Sequence, residues 1–256
     1  MKIVVIGGTG LIGSKVVAIL REHGRQAVAA SPSTGVDALT GEGLAEALAG
    51  AYVVVDVSKP PSFDHASARA FFETSTRNLL AAEEQAGVTL HVALSIVGTG
   101  RWPENGWYQA KAAQERLIEQ SSMPYSIVQA TQFYEFVPEI AAAATYDDTV
   151  RMPPVFFQPI AGDEVAELVG NVAMGSPLNT KVEIAGPELF RMDEFFRDAL
   201  APREVITDPH GRYFGAEPGE ETLVPGVGAI FGMIRYRDWA GDRSARSTTG
   251  GFYSGA

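Results

Sequence analysis

Residues 2–13 read KIVVIGGTGLIG. The β-branched run KIVVI is a buried strand by its composition. It ends directly in glycines spaced three apart, Gly7, Gly10 and Gly13. The residues that follow place Leu11, Ile12, Val16, Val17 and Leu20 at helical spacing, up to a stop at Gly24. Strand, glycine turn and helix in this order have a specific physical use. Glycine permits the tight turn and lets the backbone approach a pyrophosphate, and the helix start offers unpaired N–H groups and the positive end of its dipole. The alternative is a tight strand-to-helix turn with no ligand.

The rhythm continues along the chain. QAVAAS (26–31) is a strand and 41–51 a helix. YVVVDVS (52–58) is a buried strand, and 66–86 is an amphipathic helix with Phe71, Phe72, Leu79 and Leu80 inward. HVALSIVG (91–98) is a strand, WYQAKAAQERLIEQS (107–121) a helix and YSIVQA (125–130) a strand. Alternation of this kind predicts βαβ units in a doubly wound parallel α/β sheet. After about residue 150 the rhythm breaks at Pro153, Pro154 and Pro159. A helix (162–175), a strand (180–186) and a helix (192–200) follow, then a loop-rich stretch to 240. We expect a nucleotide-binding region over 1–150 and a small C-terminal α/β substrate-binding cap over 151–240, both within one integrated domain. Residues 241–256 form a polar tail whose composition suits disorder. Sixteen of the 24 aromatic residues lie after position 130. They read either as an aromatic lid or as a Phe-rich core under loops.

Charge and cysteine content narrow the partners. The formal net charge of −11 argues against nucleic acid and against an anionic membrane surface. There is no cysteine, so thiolate chemistry, disulfides and cysteine metal sites are excluded. The four histidines lack the spacing of a zinc helix, and no metal is expected. No signal peptide or membrane span is legible. A cytoplasmic monomer or homodimer with a small aromatic molecule as its partner is expected.

GGTGLIG has GxxGxxG spacing. Together with VDVS (55–58), HVALSIVG, AKAAQERLI (110–118), YSIVQATQF (125–133) and PIAGDEVA (159–166), it resembles the short-chain dehydrogenase/reductase superfamily in its atypical NmrA-like branch. The resemblance covers about residues 1–240 and implies a Rossmann-type sheet that binds NAD(P). It implies that Gly7, Thr9, Gly10, Leu11 and Ile12 form the phosphate loop. Ser31, Ser33 and Asp37 would meet the adenosine ribose and adenine. Val57 and Ser58 would line the adenosine side, and Ala130, Thr131, Gln132 and Phe133 the nicotinamide. The end of the second strand carries Ser31 and Ser33 rather than an acid, which favours NADP(H) and leaves NAD(H) open.

The family's chemistry uses a Ser, a Tyr and a Lys. Ser95 and Lys111 match the first and last. The position of the Tyr, four before the Lys, is Trp107. Indole donates one hydrogen bond but does not titrate, so proton relay through position 107 is ruled out. Tyr108 is one residue away, about 100° around the helix. It is either a shifted catalytic Tyr or an ordinary helix-start residue. Trp107, Phe133, Phe136 and Phe156, with Tyr134 and Phe157, are candidates for a substrate wall. His210 is the histidine with a substrate role in view, against a satisfied surface or core histidine. Asp163 reads as a helix N-terminal charge. The expected function is an NAD(P)-dependent oxidoreductase acting on a hydrophobic, aromatic or quinone-like molecule, by reduction or oxygenation in secondary metabolism. The alternative is a non-catalytic NAD(P)-binding sensor.

Overall fold

The structure, a computed structural model, describes residues 1–61 and 64–241. Apart from residue 241, the tail expected over 241–256 lies outside them. The chain begins with β1 (Lys2–Ile6), α1 (Leu11–Glu22), β2 (Gln26–Ala30), α2 (Leu44–Leu48), β3 (Val53–Asp56) and α3 (His65–Ala86). It continues with β4 (Leu90–Ile96), α4 (Gly106–Glu119), β5 (Tyr125–Ala130), α5 (Val137–Ala143), β6 (Thr145–Tyr146), β7 (Thr149–Met152) and β8 (Phe156–Phe157). Then come α6 (Gly162–Met174), β9 (Lys181–Ala185), β10 (Phe190–Arg191), α7 (Met192–Ala199), β11 (Val205–Thr207) and β12 (Ile230–Phe231).

Seven strands form one Rossmann-like sheet in the order β12-β9-β5-β4-β3-β1-β2, and every pairing is parallel. From β1 the chain steps outward to β2 and then returns to β3 on the other side. That reversal opens a crevice beyond the carboxyl ends of β1 and β3, which is where open parallel sheets bind ligands.

Strand alternation decides which residues meet which helices. Ile3 and Val5 pack into one core with Val16, Leu20, Val165 and Val169, so α1 and α6 cover that face. Val4, Ile6 and Val54 pack with Leu44, Leu48 and Leu79 from α2 and α3. The helix starts are set by their caps. Asp64 accepts from the Ser67 N–H at the start of α3, and Asn105 accepts from Trp107 and Tyr108 N–H at the start of α4. Asp163, in the first turn of α6, pairs with Lys15 of α1. This is the helix-end charge expected of it.

The division expected at residue 150 falls inside β7. The second half does not stand apart, because α6, β9 and β12 rejoin the large sheet. The remaining second-half elements build a cap with its own core. There Phe157 lies 5.2 Å from Phe195 and 5.7 Å from Phe196, ring centre to ring centre. The aromatic surplus therefore divides: some rings form this core, and others face the cavity below.

Candidate nucleotide-binding and active site

The glycine loop has geometry that only its own residues allow. Gly7 has φ +77°, and a Cβ there would lie 2.9 Å from the Ser58 backbone. A Cβ on Gly13 would lie 2.2 Å from the Gly7 carbonyl oxygen. The loop and the first turn of α1 are thus pressed together. Gly10 is the N-cap of α1, and no side chain caps that end. Its N–H groups are left for an anion.

In front of this loop lies a cavity of about 560 Å³. Gly7, Thr9, Gly10, Leu11 and Ile12 form its floor. Ser31, Asp37, Val57 and Ser58 line it beside β2 and β3, and Ala130, Thr131, Gln132 and Phe133 line it after β5. Trp107, Phe136, Tyr213 and Phe214 close it from α4 and the cap. Three buried polar atoms in this wall have no hydrogen-bond partner among the described residues: Ser58 Oγ, Thr131 Oγ1 and Gln132 Oε1. Orphaned atoms of this kind are satisfied by a ligand or by water. Together with the uncapped helix and the glycine cradle, they fit a dinucleotide.

Ser95 and Lys111 both line the cavity, and both are tied into a buried polar network behind it. The Ser95 hydroxyl donates to Glu115, which also accepts from Thr99 (3.0 Å), Gln129 (2.9 Å) and Lys181 (2.8 Å). Lys111 Nζ donates to the Leu94 carbonyl at 2.7 Å and to Gln114 Oε1, and it sits 4.4 Å from the centre of the Phe72 ring. Gln114 in turn donates to Asp56 at 2.8 Å. Burial lowers the Lys111 pKa to about 8, against the pull of Asp56 and Glu115. The single donor of the Ser95 hydroxyl is thus engaged by a carboxylate, and toward the cavity it can only accept.

Position 107 presents an indole edge-on to Phe72, with ring centres 5.8 Å apart. Tyr108 also lines the cavity, yet its environment is not that of a catalytic phenol. It is fully buried, its hydroxyl accepts from Gln132 Nε2 at 3.2 Å, and burial pushes its pKa well above the usual phenol range. Its ring packs on Trp102 at 5.0 Å in the cap core. Lys111 bonds to Leu94 and Gln114 while Tyr108 bonds to Gln132.

Some expected site residues lie elsewhere. Phe156 is outside the cavity: it pairs with Arg191 across β8 and β10, and the Arg191 guanidinium sits 5.1 Å from its ring centre. Phe157 and Tyr134 are core residues. His210 is an exposed side chain 3.6 Å from Glu217, remote from the cavity. Ser33 is exposed and its hydroxyl is hydrogen-bonded to that of Ser31, which accepts from Thr9 at 3.0 Å. Phe156 and Phe157 lie on the short strand β8, His210 in a loop, and Ser33 and Tyr134 each in a single helical turn. Other residues that sequence reasoning passed over stand in the wall: Lys59, His65, Phe71 and Phe72. Their signal was position, since the β3–α3 connection leaves the carboxyl edge of the sheet, where ligands sit. Among the described residues, no cluster of His, Asp or Glu could hold a metal ion, and no helix is long and apolar enough to cross a membrane.

Fold and site together define an NAD(P)-binding, Rossmann-type protein. Residues 7–172 match the NAD(P)H-binding family, and the chain belongs to it. A curated relative, the photosystem II assembly factor Ycf39 of Synechocystis, is 25% identical over 149 residues. The match covers 53% of this chain and 46% of that protein, so the chain spans about half the length of the curated relative it matches. Among solved structures, MoeE5 in complex with UDP-glucose and NAD superposes with a TM-score of 0.72 at 16% identity, covering 97% of this chain and all of that one. A short-chain dehydrogenase/reductase superfamily protein from Agrobacterium tumefaciens with bound NAD gives 0.70 at 16% identity over 98% and 99% of the two chains. At that identity these likenesses speak for the fold alone.

Proposed function

We propose that the protein is an NAD(P)H-dependent oxidoreductase acting on an aromatic or quinone-like carbonyl compound. The observation that carries this is the continuity of one cavity from the glycine loop to a wall of Trp107, Phe133, Phe136 and Phe214. A nucleotide site that ended at the loop would not need such a wall. When bound, the dinucleotide supplies a hydride equivalent. The chain's residues bind and orient. The loop and the α1 start hold the pyrophosphate, Thr131 and Gln132 offer unsatisfied polar atoms near the reacting end, and the rings exclude water.

The β2 side of the cavity bears on the choice of dinucleotide. Ser31 is already bonded to Thr9 and Ser33, and the charged side chain lining that side is the Asp37 carboxylate. A carboxylate suits a ribose 2′-hydroxyl and repels a 2′-phosphate. This supports NAD(H) over the NADP(H) that the serines alone favoured. Fluorescence titrations with NADH and NADPH test the site, and absence of binding by both refutes it. Oxidation of the bound cofactor by 9,10-phenanthrenequinone and by aromatic ketones tests the reaction. Tyr108→Phe is expected to retain NADH affinity and to lose about 1 kcal/mol of stability with its Gln132 hydrogen bond. Unchanged turnover in that variant removes Tyr108 from the chemistry.

A second reading, a non-catalytic NAD(P)-binding sensor or assembly protein, is favoured by the indole at 107 and by the commitment of the Ser95 proton to Glu115. Tight cofactor binding with no oxidation by any of these carbonyl compounds supports it.

A further inference from the structure

The carbonyl-reduction reading leaves one requirement unmet. Moving a hydride to a ketone carbon also needs a proton at the ketone oxygen. Trp107 cannot supply it, and burial raises the Tyr108 pKa, against the pull of Gln132 and Arg101, so that its phenol releases a proton poorly. Imidazole is the side chain that changes charge near neutral pH. The histidine lining the cavity is His65.

Two glycines fix where its ring lies. A Cβ on Gly106 would fall 2.5 Å from His65 Cγ and Nδ1, so the imidazole occupies the space that any side chain at 106 would need. Gly106 immediately precedes Trp107, which holds the vacant tyrosine position. On the other side, a Cβ on Gly215 of the cap would be 3.6 Å from His65 Cε1. The ring therefore stands between the start of α4 and the cap loop. One side is open to solvent and the other faces the cavity.

We propose that His65 is the catalytic residue that exchanges the proton with the substrate oxygen, in place of the tyrosine absent at 107. The inference rests on the oxidoreductase reading above. The substrate carbonyl carbon gains a C–H bond by receiving hydride from the reduced dinucleotide, which becomes oxidised. The C=O π bond breaks, and the oxygen takes the proton of the His65 imidazolium to give an alcohol. The neutral ring regains a proton from solvent, to which it is open. The oxidative direction reverses each step.

Other ionisable groups face the same space. Asp64 adjoins His65 and interacts with its charge, and Lys59 lies in the connection before α3. Tyr108 and Lys111 face the cavity from α4. Tyr213 does so from the cap, where Arg212 donates to the Gly215 carbonyl at 3.3 Å. None is an imidazole, so a transition that vanishes with His65 belongs to His65.

The first measurement needs no turnover. Histidine ring carbon–proton resonances of the full chain are followed while NAD⁺ is added, with His65→Gln assigning its signal. The expected result is a shift of the His65 signal, while those of exposed His23 and His210 stay in place. The second is the pH profile of kcat/KM for 4-nitroacetophenone with NADH. His65→Gln is expected to lower kcat/KM about 100-fold, in the range of general acid catalysis, and to remove the imidazole limb of the profile. NADH affinity should stay within twofold. Gly106→Ala, whose new methyl displaces the ring, should reproduce the loss, and His210→Gln should match the wild type. An unmoved His65 signal in protein that binds NAD⁺, or a wild-type pH profile in His65→Gln, overturns the proposal and leaves the oxidoreductase reading in place. Failure of wild-type protein to bind NADH or to reduce the ketone overturns that reading and this proposal with it.

Discussion

Lys111→Met should change how stability depends on pH, and the size of the change follows from the site. Lys111 is 5% exposed, and its Nζ is held between the Leu94 carbonyl, Gln114 and the Phe72 ring. Burial brings its pKa down to about 8, where Asp56 and Glu115 resist a further fall. In the unfolded chain a lysine releases its proton near 10.4. Between these values the unfolded state binds a proton that the folded state lacks, so stability rises with pH across the window. Below about pH 8 both states are charged and the gain is absent. Each pH unit is worth about 1.4 kcal/mol, so moving from pH 8 to pH 9.5 should add about 2 kcal/mol to the wild type. In Lys111→Met this gain vanishes. Urea unfolding of both proteins at the two pH values, at equal ionic strength, isolates the difference because other groups cancel. Stopping at 9.5 also avoids Tyr108 and Tyr213. Their pKa values are raised by burial, so they withdraw stability once unfolded tyrosines ionise near 10. Parallel pH dependences in the two proteins would mean that water reaches Lys111, and the picture of a dry network behind the cavity would be wrong.

Two further substitutions probe the frame of the site. Gly13→Ala places a methyl 2.2 Å from the Gly7 carbonyl oxygen, where only backbone could yield. It should abolish NADH binding by fluorescence titration and lower stability by about 2 kcal/mol. Glu115→Gln removes a buried carboxylate that accepts from Ser95, Thr99, Gln129 and Lys181. An amide cannot accept from all four, and urea unfolding should show a loss of about 3 kcal/mol. A loss no larger than that of Ser95→Ala would show that the network is not shared.

The alternating half of the fold was legible because period and composition agreed. KIVVI, YVVVDVS and HVALSIVG are runs whose residues are buried on both faces of a parallel sheet; the first appears as β1 residue for residue, while β3 keeps only Val53–Asp56 of the second and β4 (Leu90–Ile96) ends two residues before the third. The helix expected over 41–51 shrank to Leu44–Leu48 because Gly41 and Gly43 adopt φ of +84° and +70°. The strands of the cap were missed because two to four residues carry no period. The strand order depends on contacts between distant segments that no local pattern encodes. The glycine loop announced its role through its context. The Glu115 network did not, since a Glu in AKAAQERLI resembles a solvated helix charge. Its burial follows from register: Ser95 and Gln129 are direct neighbours on β4 and β5, and both reach the same carboxylate. His65 gave still less sign of itself, because its meaning comes from the empty place at Gly106.

The order of strands also sets a timetable for the chain's synthesis. β5 finds its outer neighbour only when β9 emerges, since Ile127 aligns with Lys181. At roughly 10 residues per second on the ribosome, that interval is about five seconds. Throughout it the nascent sheet presents the backbone donors and acceptors of β5 without a strand to meet them. Chains stopped inside this interval should associate through that edge, and their tendency to aggregate should fall once β9 can dock.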